Sequence, residues 1–156
     1  MNLLVALLLL VVLVAATLRI HHEVLVLLST RLVPRLHHFS RPPVEWLLAC
    51  LLVAHLLEVV VFGAGYWLAA DVFGLGQLVG AHTGSFRSFV YFSGVTYTSL
   101  GLGDSYPTGE LRMMAGIQAL TGLLLIGWSA SYIFVEMQRL WHDEPPDPSV
   151  PFPRQR

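Results

Sequence analysis

The chain has 156 residues, of which 55% are hydrophobic and 12% are charged, and its formal net charge is −1. Soluble domains carry about 25% charged residues, so this composition excludes an ordinary soluble domain and a disordered chain and predicts an integral membrane protein. The positive residues are all arginine and form no basic patch, so nothing points to nucleic-acid binding. The single cysteine, Cys50, excludes an intrachain disulfide. A spanning helix takes about 20 residues, so three or four spans fit, and a solute pathway would need an oligomer.

The first 20 residues predict a membrane helix. Residues 3–20 are mostly apolar, and a helix of this length extends about 27 Å, which is enough to cross a thin bilayer core. A cleaved signal peptide is the alternative. Signal peptides begin with positive residues, whereas only Met1 and Asn2 precede this run, so we favour a retained span.

The following connection, residues 19–43, is more polar and carries two histidine pairs. We interpret both pairs, His21–His22 and His37–His38, as solvated linker, because neither has the spacing of a metal motif. Within this connection, residues 24–28 are apolar and either lie on the membrane surface or continue the first helix. Pro34 is expected to break any helix here.

The rest of the chain divides into two spans, a short apolar segment and a tail. Residues 46–70 predict a second span and residues 111–137 a third, while the glycine-rich residues 71–85 indicate a loop. Residues 86–98 are apolar but would measure only about 20 Å as a helix, too short to cross a bilayer. A short apolar helix followed by glycines is typical of a re-entrant segment, surrounded by protein or a water-filled cavity. Residues 138–156 form a proline-rich tail.

The arginine positions predict the orientation. Residues 19–43 hold four arginines and the tail holds three, whereas residues 71–110 hold one arginine and three acidic residues. Because positive residues favour the cytoplasmic side, we expect the N-terminus and the re-entrant segment outside and the C-terminus in the cytoplasm. The expected location is a cell membrane, and the small size and arginine-only basic set favour a bacterial inner membrane.

The most specific motif follows the short apolar segment. Residues 98–104 read Thr-Ser-Leu-Gly-Leu-Gly-Asp, and Tyr106-Pro107 follows. This motif resembles the pore loop of tetrameric potassium channels, whose filter reads Thr-Val-Gly-Tyr-Gly before an aspartate. Its Gly-Leu-Gly-Asp form is similar to the second pore loop of two-pore-domain potassium channels. The resemblance covers residues 46–137 and implies a homotetrameric pore with an outer helix, a re-entrant pore helix, a selectivity-filter loop and an inner helix in each subunit. Together with the span predicted over residues 3–20, the expected fold is an all-α membrane protein with three transmembrane helices in each subunit.

Elementary chemistry supports this resemblance. A dehydrated cation needs a ring of oxygens in place of water, and the backbone carbonyls of four identical loops can provide it. Successive carbonyls point the same way when alternate residues adopt positive φ, which glycine tolerates, and Gly101 and Gly103 have that spacing. The expected filter runs from Thr98 to Gly103. The expected potassium ligands are the carbonyls of Ser99, Leu100, Gly101 and Leu102.

Two filter residues differ from the family pattern. Ser99 replaces the usual threonine, which loosens the innermost site, and Leu102 replaces the usual tyrosine, which removes a hydroxyl brace. A weakly selective monovalent cation channel is therefore the alternative to a potassium channel. The residues expected to support the filter or pack around it are Asp104, Tyr91, Phe92 and Tyr97.

The last span carries three glycines, each costing about 1 kcal/mol in a helix relative to alanine. Gly122 falls where the inner helix of the family has its hinge glycine, and Gly116 and Gly127 are the other candidates for that hinge. The alternative explanation for a glycine here is close packing between helices. Helical spacing from Gly122 places apolar residues on one pore-lining face, which can gate by dewetting. These residues are Leu123, Ile126, Ala130 and Phe134.

One acidic residue lies at the midpoint of the second span. Glu58 has His55 one turn earlier on the same face, and a charge at this depth costs roughly 2.5–3.5 kcal/mol on insertion scales. One hypothesis is a proton-sensitive gating pair, in which Glu58→Gln would shift the pH dependence of current. The other is a neutral carboxyl hydrogen-bonded to His55 or to the last span. His82 is a weaker candidate for external pH sensing.

Together the resemblance and the residues predict a passive potassium channel without enzymatic activity, with no cofactor beyond the permeant potassium ion. Its domains would be an N-terminal helix and linker (1–43), a pore module (44–137) and a cytoplasmic tail (138–156). The expected partners are other copies of the chain, membrane lipid and permeant monovalent cations. Two other classes compete: a non-conducting accessory subunit, and an intramembrane enzyme using Ser93, which lacks the glycine usual two residues before such a serine.

Overall fold

The computed structural model describes residues 2–36, 44–80 and 84–142 of the chain. Within these residues, three helical segments are long and apolar enough to cross a membrane, as predicted. These candidate spans are Asn2–Leu36, Glu45–Val72 and Leu111–Arg139. The predictions made for His37, His38, His82 and residues 143–156 of the tail lie outside the described residues.

The first candidate span is one helical rod with a register change near its end. Helix α1 (Asn2–Leu27) passes into a π-helical turn (Leu28–Leu32) and then into α2 (Val33–Leu36). Residues 24–28 therefore continue the first helix, and the prediction that Pro34 breaks it is wrong. In the last hydrogen bond of the π turn, the Val33 N–H donates to Leu28 O, five residues earlier instead of four. This wider turn lies just before Pro34, which has no N–H to donate, so the helix continues through the proline.

The second candidate span continues past its predicted end. Helix α3 (Glu45–Trp67) passes into a π-helical turn (Leu68–Val72), so the loop predicted over 71–85 begins only after residue 72. That region also contains strand β1 (Leu78–Gly80), which pairs antiparallel with β2 (Ser105–Pro107). Strands of three residues are too short to show alternation in the sequence. The sheet ties the chain before the short helix to the chain after the glycine motif.

The short apolar segment is helix α4 (Phe86–Tyr97), which ends one residue before the predicted boundary. Ser85 has an extended backbone, and its Oγ accepts a hydrogen bond from the Ser88 N–H at 3.3 Å, so Ser85 caps the helix. A helix of 12 residues is about 18 Å long, less than the thickness of a bilayer core.

The last helix is longer than predicted. Helix α5 runs from Leu111 to His142, past the predicted end of the span at residue 137, and its candidate span ends at Arg139. The first proline after this span is Pro145, and no earlier residue forces the helix to stop.

Two apolar clusters hold α1 against the other helices. The larger has as its buried members Ala6, Leu10, Leu13, Phe62, Tyr66, Ala69, Leu75, Leu78, Phe89, Phe92, Leu111 and Met114. The smaller joins Leu25, Leu28, Val33 and Leu36 to Leu47 and Leu51. Gly65 lets α1 approach α3, because a Cβ there would overlap the side chain of Leu13. Between the two clusters lie buried polar residues, Thr17 and His21 on α1 and Glu58 on α3.

Candidate ion pathway and buried polar cluster

The segment from Thr98 to Asp104 leaves α4 with an alternating backbone. Ser99, Gly101 and Gly103 have φ values of 56°, 59° and 77°, and the residues between them have negative φ. Such alternation turns successive carbonyls toward the same side of the chain, which is the arrangement a carbonyl-lined cation site needs. A Cβ on either glycine would meet no atom within 4 Å, so the backbone conformation, not lack of space, requires glycine here.

Ser99 is the one non-glycine residue with positive φ in the described part of the chain. A left-handed L-residue costs roughly 1–2 kcal/mol, so neighbouring bonds must hold it. The Ser99 N–H donates to Thr96 O at 3.0 Å, and the Leu100 N–H donates to Val95 O at 3.0 Å. Both bonds fasten the start of the motif to the last turn of α4.

The motif lies on the surface of a single chain. Residues 98–104 are all exposed, and the side chains of Leu100 and Leu102 rank among the exposed large hydrophobic residues, at 62% and 58%. Large apolar side chains exposed together mark a surface that lipid or another protein covers.

A hydrogen bond braces the C-terminal end of the motif. The Tyr91 hydroxyl donates to Asp104 Oδ2 at 2.7 Å. This bond, together with the charge of the carboxylate, raises the pKa of Tyr91 above its ordinary value. The sequence predicts only packing for Tyr91, whereas the structure places its hydroxyl where it supports Asp104. Phe92 is buried against Tyr66, with ring centroids 5.1 Å apart.

The glycines of α5 differ in their surroundings. A Cβ on Gly122 would overlap the carbonyl oxygen of Tyr97, whereas one on Gly116 or Gly127 would meet nothing within 4 Å. The geometry at Gly122 is therefore that of close packing, and its hinge role stays a prediction. The residues predicted to line the pore are all exposed in the single chain: Leu123, Ile126, Ala130 and Phe134.

Four helices contribute to a buried polar cluster, which consists of His21, His55, Glu58, Tyr97 and Ser129. Glu58 is fully buried; its Oε1 lies 2.9 Å from His21 Nδ1, and its Oε2 lies 3.2 Å from His55 Nδ1. The Tyr97 hydroxyl donates to Glu58 Oε2 at 2.5 Å and lies 2.8 Å from His55 Nδ1. Ser129 Oγ lies 3.3 Å from His21 Nε2 and 3.1 Å from His55 Nε2. The cluster therefore links α1, α3 and α5 to the last residue of α4.

The structure contradicts the solvated-linker interpretation for His21. Its side chain is fully buried, while His22 beside it is exposed. The sequence does contain an indication of this burial: Leu13, Thr17 and His21 follow one another at four-residue intervals, which places them on the same, packed face of α1. The sequence pairs Glu58 with His55 correctly, but Glu58 also bonds to His21 and Tyr97, which sequence reasoning missed.

Ser93, the candidate nucleophile of the enzyme alternative, is part of a structural hydrogen-bond chain. Its Oγ donates to Val59 O at 2.7 Å and accepts from Gln118 Nε2 at 2.6 Å. The Tyr66 hydroxyl completes the chain by donating to Gln118 Oε1 at 2.7 Å. These bonds fasten α4 between α3 and α5.

Comparison with known proteins identifies the class of protein. A family model described as ion channel, of the two-transmembrane, pore-loop type, matches residues 48–139, which is more than half of the chain. The chain therefore belongs to this ion channel family and is a membrane protein. No curated protein and no solved structure matches the chain. Helix α1 lies outside the matched residues.

Proposed function

We propose that four copies of this chain form a passive potassium channel whose filter is residues 98–103. The observation that carries this proposal is the alternation of left-handed residues at Ser99, Gly101 and Gly103. An alternating backbone offers a column of carbonyl oxygens, and a cation entering it exchanges water for these oxygens. Ions would pass by displacing one another between adjacent carbonyl sites.

The tetramer is part of the proposal because one loop supplies only one side of such a column. The exposed leucines, Leu100 and Leu102, support it, since neighbouring subunits would cover them. The exposed apolar face of α5 supports an inner vestibule, and we propose its gate at Ile126, Ala130 and Phe134. The arginine distribution favours the N-terminus outside and the C-terminus in the cytoplasm.

Potassium selectivity rests on how firmly the filter is held. Leu102 has no hydroxyl to brace the filter, which favours the weakly selective monovalent cation channel as a second candidate. The bond from Tyr91 to Asp104 supplies a different brace at the outer end, and the bonds of Ser99 and Leu100 to α4 supply one at the inner end. These attachments favour potassium over weak selectivity.

A flux assay separates the two candidates. Purified protein in liposomes is assayed for uptake of potassium, sodium and caesium under the same driving force. We expect potassium uptake at least tenfold faster than sodium uptake. Equal uptake rates for potassium and sodium would exclude the potassium channel and support the weakly selective channel. Absence of uptake of all three ions would favour an accessory subunit.

A further inference from the structure

We propose that the buried polar cluster is a binding site for a first-row divalent transition-metal ion, best matched by zinc, with His21, His55 and Glu58 as ligands. Their ligand atoms all lie within 4.8 Å of one another. Two imidazole nitrogens and one carboxylate form a donor set that zinc and its neighbours in the row bind in proteins, with a further position open to another oxygen.

The distances fit an ion of this size. A tetrahedral zinc ion with ligands at about 2.1 Å separates neighbouring ligand atoms by about 3.4 Å. His21 Nδ1 and Glu58 Oε1 are 2.9 Å apart, and His55 Nδ1 and Glu58 Oε2 are 3.2 Å apart. The Tyr97 hydroxyl, 2.8 Å from His55 Nδ1, places a further oxygen beside the three ligands. Small side-chain movements are therefore enough to surround an ion.

Ser129 is consistent with this proposal, because its single hydroxyl faces both imidazole rings. Its Oγ lies 3.3 Å from His21 Nε2 and 3.1 Å from His55 Nε2. The hydroxyl can accept an N–H from each ring, or accept from one ring and donate to the other. The tautomer in which both Nε2 atoms carry the N–H turns both Nδ1 lone pairs toward the Glu58 carboxylate, and in this tautomer the two rings could bind a cation. Ion binding would replace the hydrogen bond between His55 Nδ1 and the Tyr97 hydroxyl.

This arrangement is the usual one around a metal. Histidine ligands almost always donate their other ring N–H to a neighbouring oxygen, which fixes the tautomer and the ring orientation. Here one serine hydroxyl is placed where it can accept from both histidines. A divalent ion also pairs the Glu58 charge, which is costly to bury unpaired in a membrane span.

The site would join α1, which lies outside the family match, to the pore module. His21 comes from α1, and His55 and Glu58 come from α3. The side chains of His21 and Glu58 are fully buried, while that of His55 is 18% exposed, so an ion would reach the site past His55.

Cobalt is the probe, because Co²⁺ replaces zinc in such sites and its visible absorption reports the ligand geometry. Untagged full-length protein in detergent is treated with a chelator and titrated with Co²⁺ and then with competing Zn²⁺. We expect one Co²⁺ to bind per chain with the strong absorption of a four-coordinate ion. Zn²⁺ should displace this Co²⁺, whereas the same concentration of Mg²⁺ should not. His21→Gln, His55→Gln and Glu58→Gln should each weaken binding at least tenfold.

Two further variants keep the test decisive if a buried ligand variant fails to fold. Ser129→Ala removes only the hydroxyl beside the two Nε2 atoms and none of the three proposed ligands. We therefore expect about tenfold weaker Co²⁺ binding with the absorption retained. His22→Gln, at the exposed neighbouring histidine, should bind like the wild type. Absence of four-coordinate Co²⁺ from the wild type, a folded His21→Gln protein that binds normally, or equal loss in His22→Gln would each overturn the proposal.

Discussion

Gly122 of α5 lies directly against the carbonyl oxygen of Tyr97, the last residue of α4. Tyr97 also places its hydroxyl in the buried polar cluster and immediately precedes the proposed filter. Backbone contact on one side and hydrogen bonding on the other thus fix the end of α4. The position of the filter therefore depends on how closely α5 can approach this residue.

Gly122→Ala should weaken this contact. A methyl group there would overlap the Tyr97 carbonyl oxygen, so we expect a loss of about 1–3 kcal/mol in the free energy of unfolding and a lower potassium flux. Gly116→Ala is the matched control, because its Cβ meets nothing within 4 Å and alanine favours the helix by about 1 kcal/mol. Thermal unfolding in detergent checks both; equal stability of the two variants would contradict close packing at Gly122.

Tyr91→Phe should reduce ion selectivity by removing the hydrogen bond to Asp104. We expect the ratio of potassium to sodium flux to fall several-fold, because the outer end of the filter loses its brace. Tyr106→Phe, at an exposed tyrosine of β2, serves as the control. An unchanged flux ratio in Tyr91→Phe would mean that the bond does not support the filter.

The same bond predicts a pH dependence. The hydrogen bond to Asp104 raises the pKa of Tyr91 above its ordinary value of about 10, so the phenol keeps its proton throughout the neutral range. The contribution of the bond to stability is full below the ordinary value and is lost as pH rises through the raised pKa. We expect the stability difference between wild type and Tyr91→Phe to be constant from neutral pH to about 9 and to shrink in more alkaline solution. A difference that shrinks already between pH 7 and 9 would contradict this assignment.

Ser93→Ala should destabilise the protein without abolishing conduction. The change removes the hydrogen bonds of Ser93 Oγ to Val59 O and from Gln118 Nε2, which keeps only its contact with the Ser93 carbonyl oxygen at 3.2 Å, and we expect a loss of about 1–3 kcal/mol in the free energy of unfolding. Ser131→Ala, at an exposed serine of α5, should cost much less. Residual potassium flux in folded Ser93→Ala protein would also count against a catalytic role for this serine.

The sequence predicts the parts of the fold that depend on length and backbone chemistry. Three apolar runs predict the three candidate spans, the 13-residue segment 86–98 predicts α4, and the spacing of Gly101 and Gly103 predicts the alternating φ. These features follow from helix rise and from the conformational freedom of glycine, which are local properties.

The errors concern features that packing decides. The rule that proline breaks a helix fails at Pro34 because a π turn precedes it, and the loop prediction fails at the short strands because they pair across the chain. The polar neighbours of His21 indicate a linker; its spacing from Leu13 and Thr17 matches the packed face of α1, but its partners on α3 and α5 depend on packing. Sequence alone gives no such long-range pairing.

If the left-handed residues of the motif create the ion pathway, alanine at one of them stops conduction, and one pair of variants separates this effect from local backbone strain. Gly101 and Gly74 both have a φ of 59°, and a Cβ on either would meet nothing within 4 Å, so alanine imposes the same local strain at both positions. Only Gly101 lies in the proposed filter. The measurement is potassium uptake into liposomes containing each purified variant, with Gly103→Ala as a second filter variant. We predict that Gly101→Ala abolishes uptake while Gly74→Ala retains it, and equal uptake by the two variants would mean that the left-handed residues of the motif do not form the ion pathway.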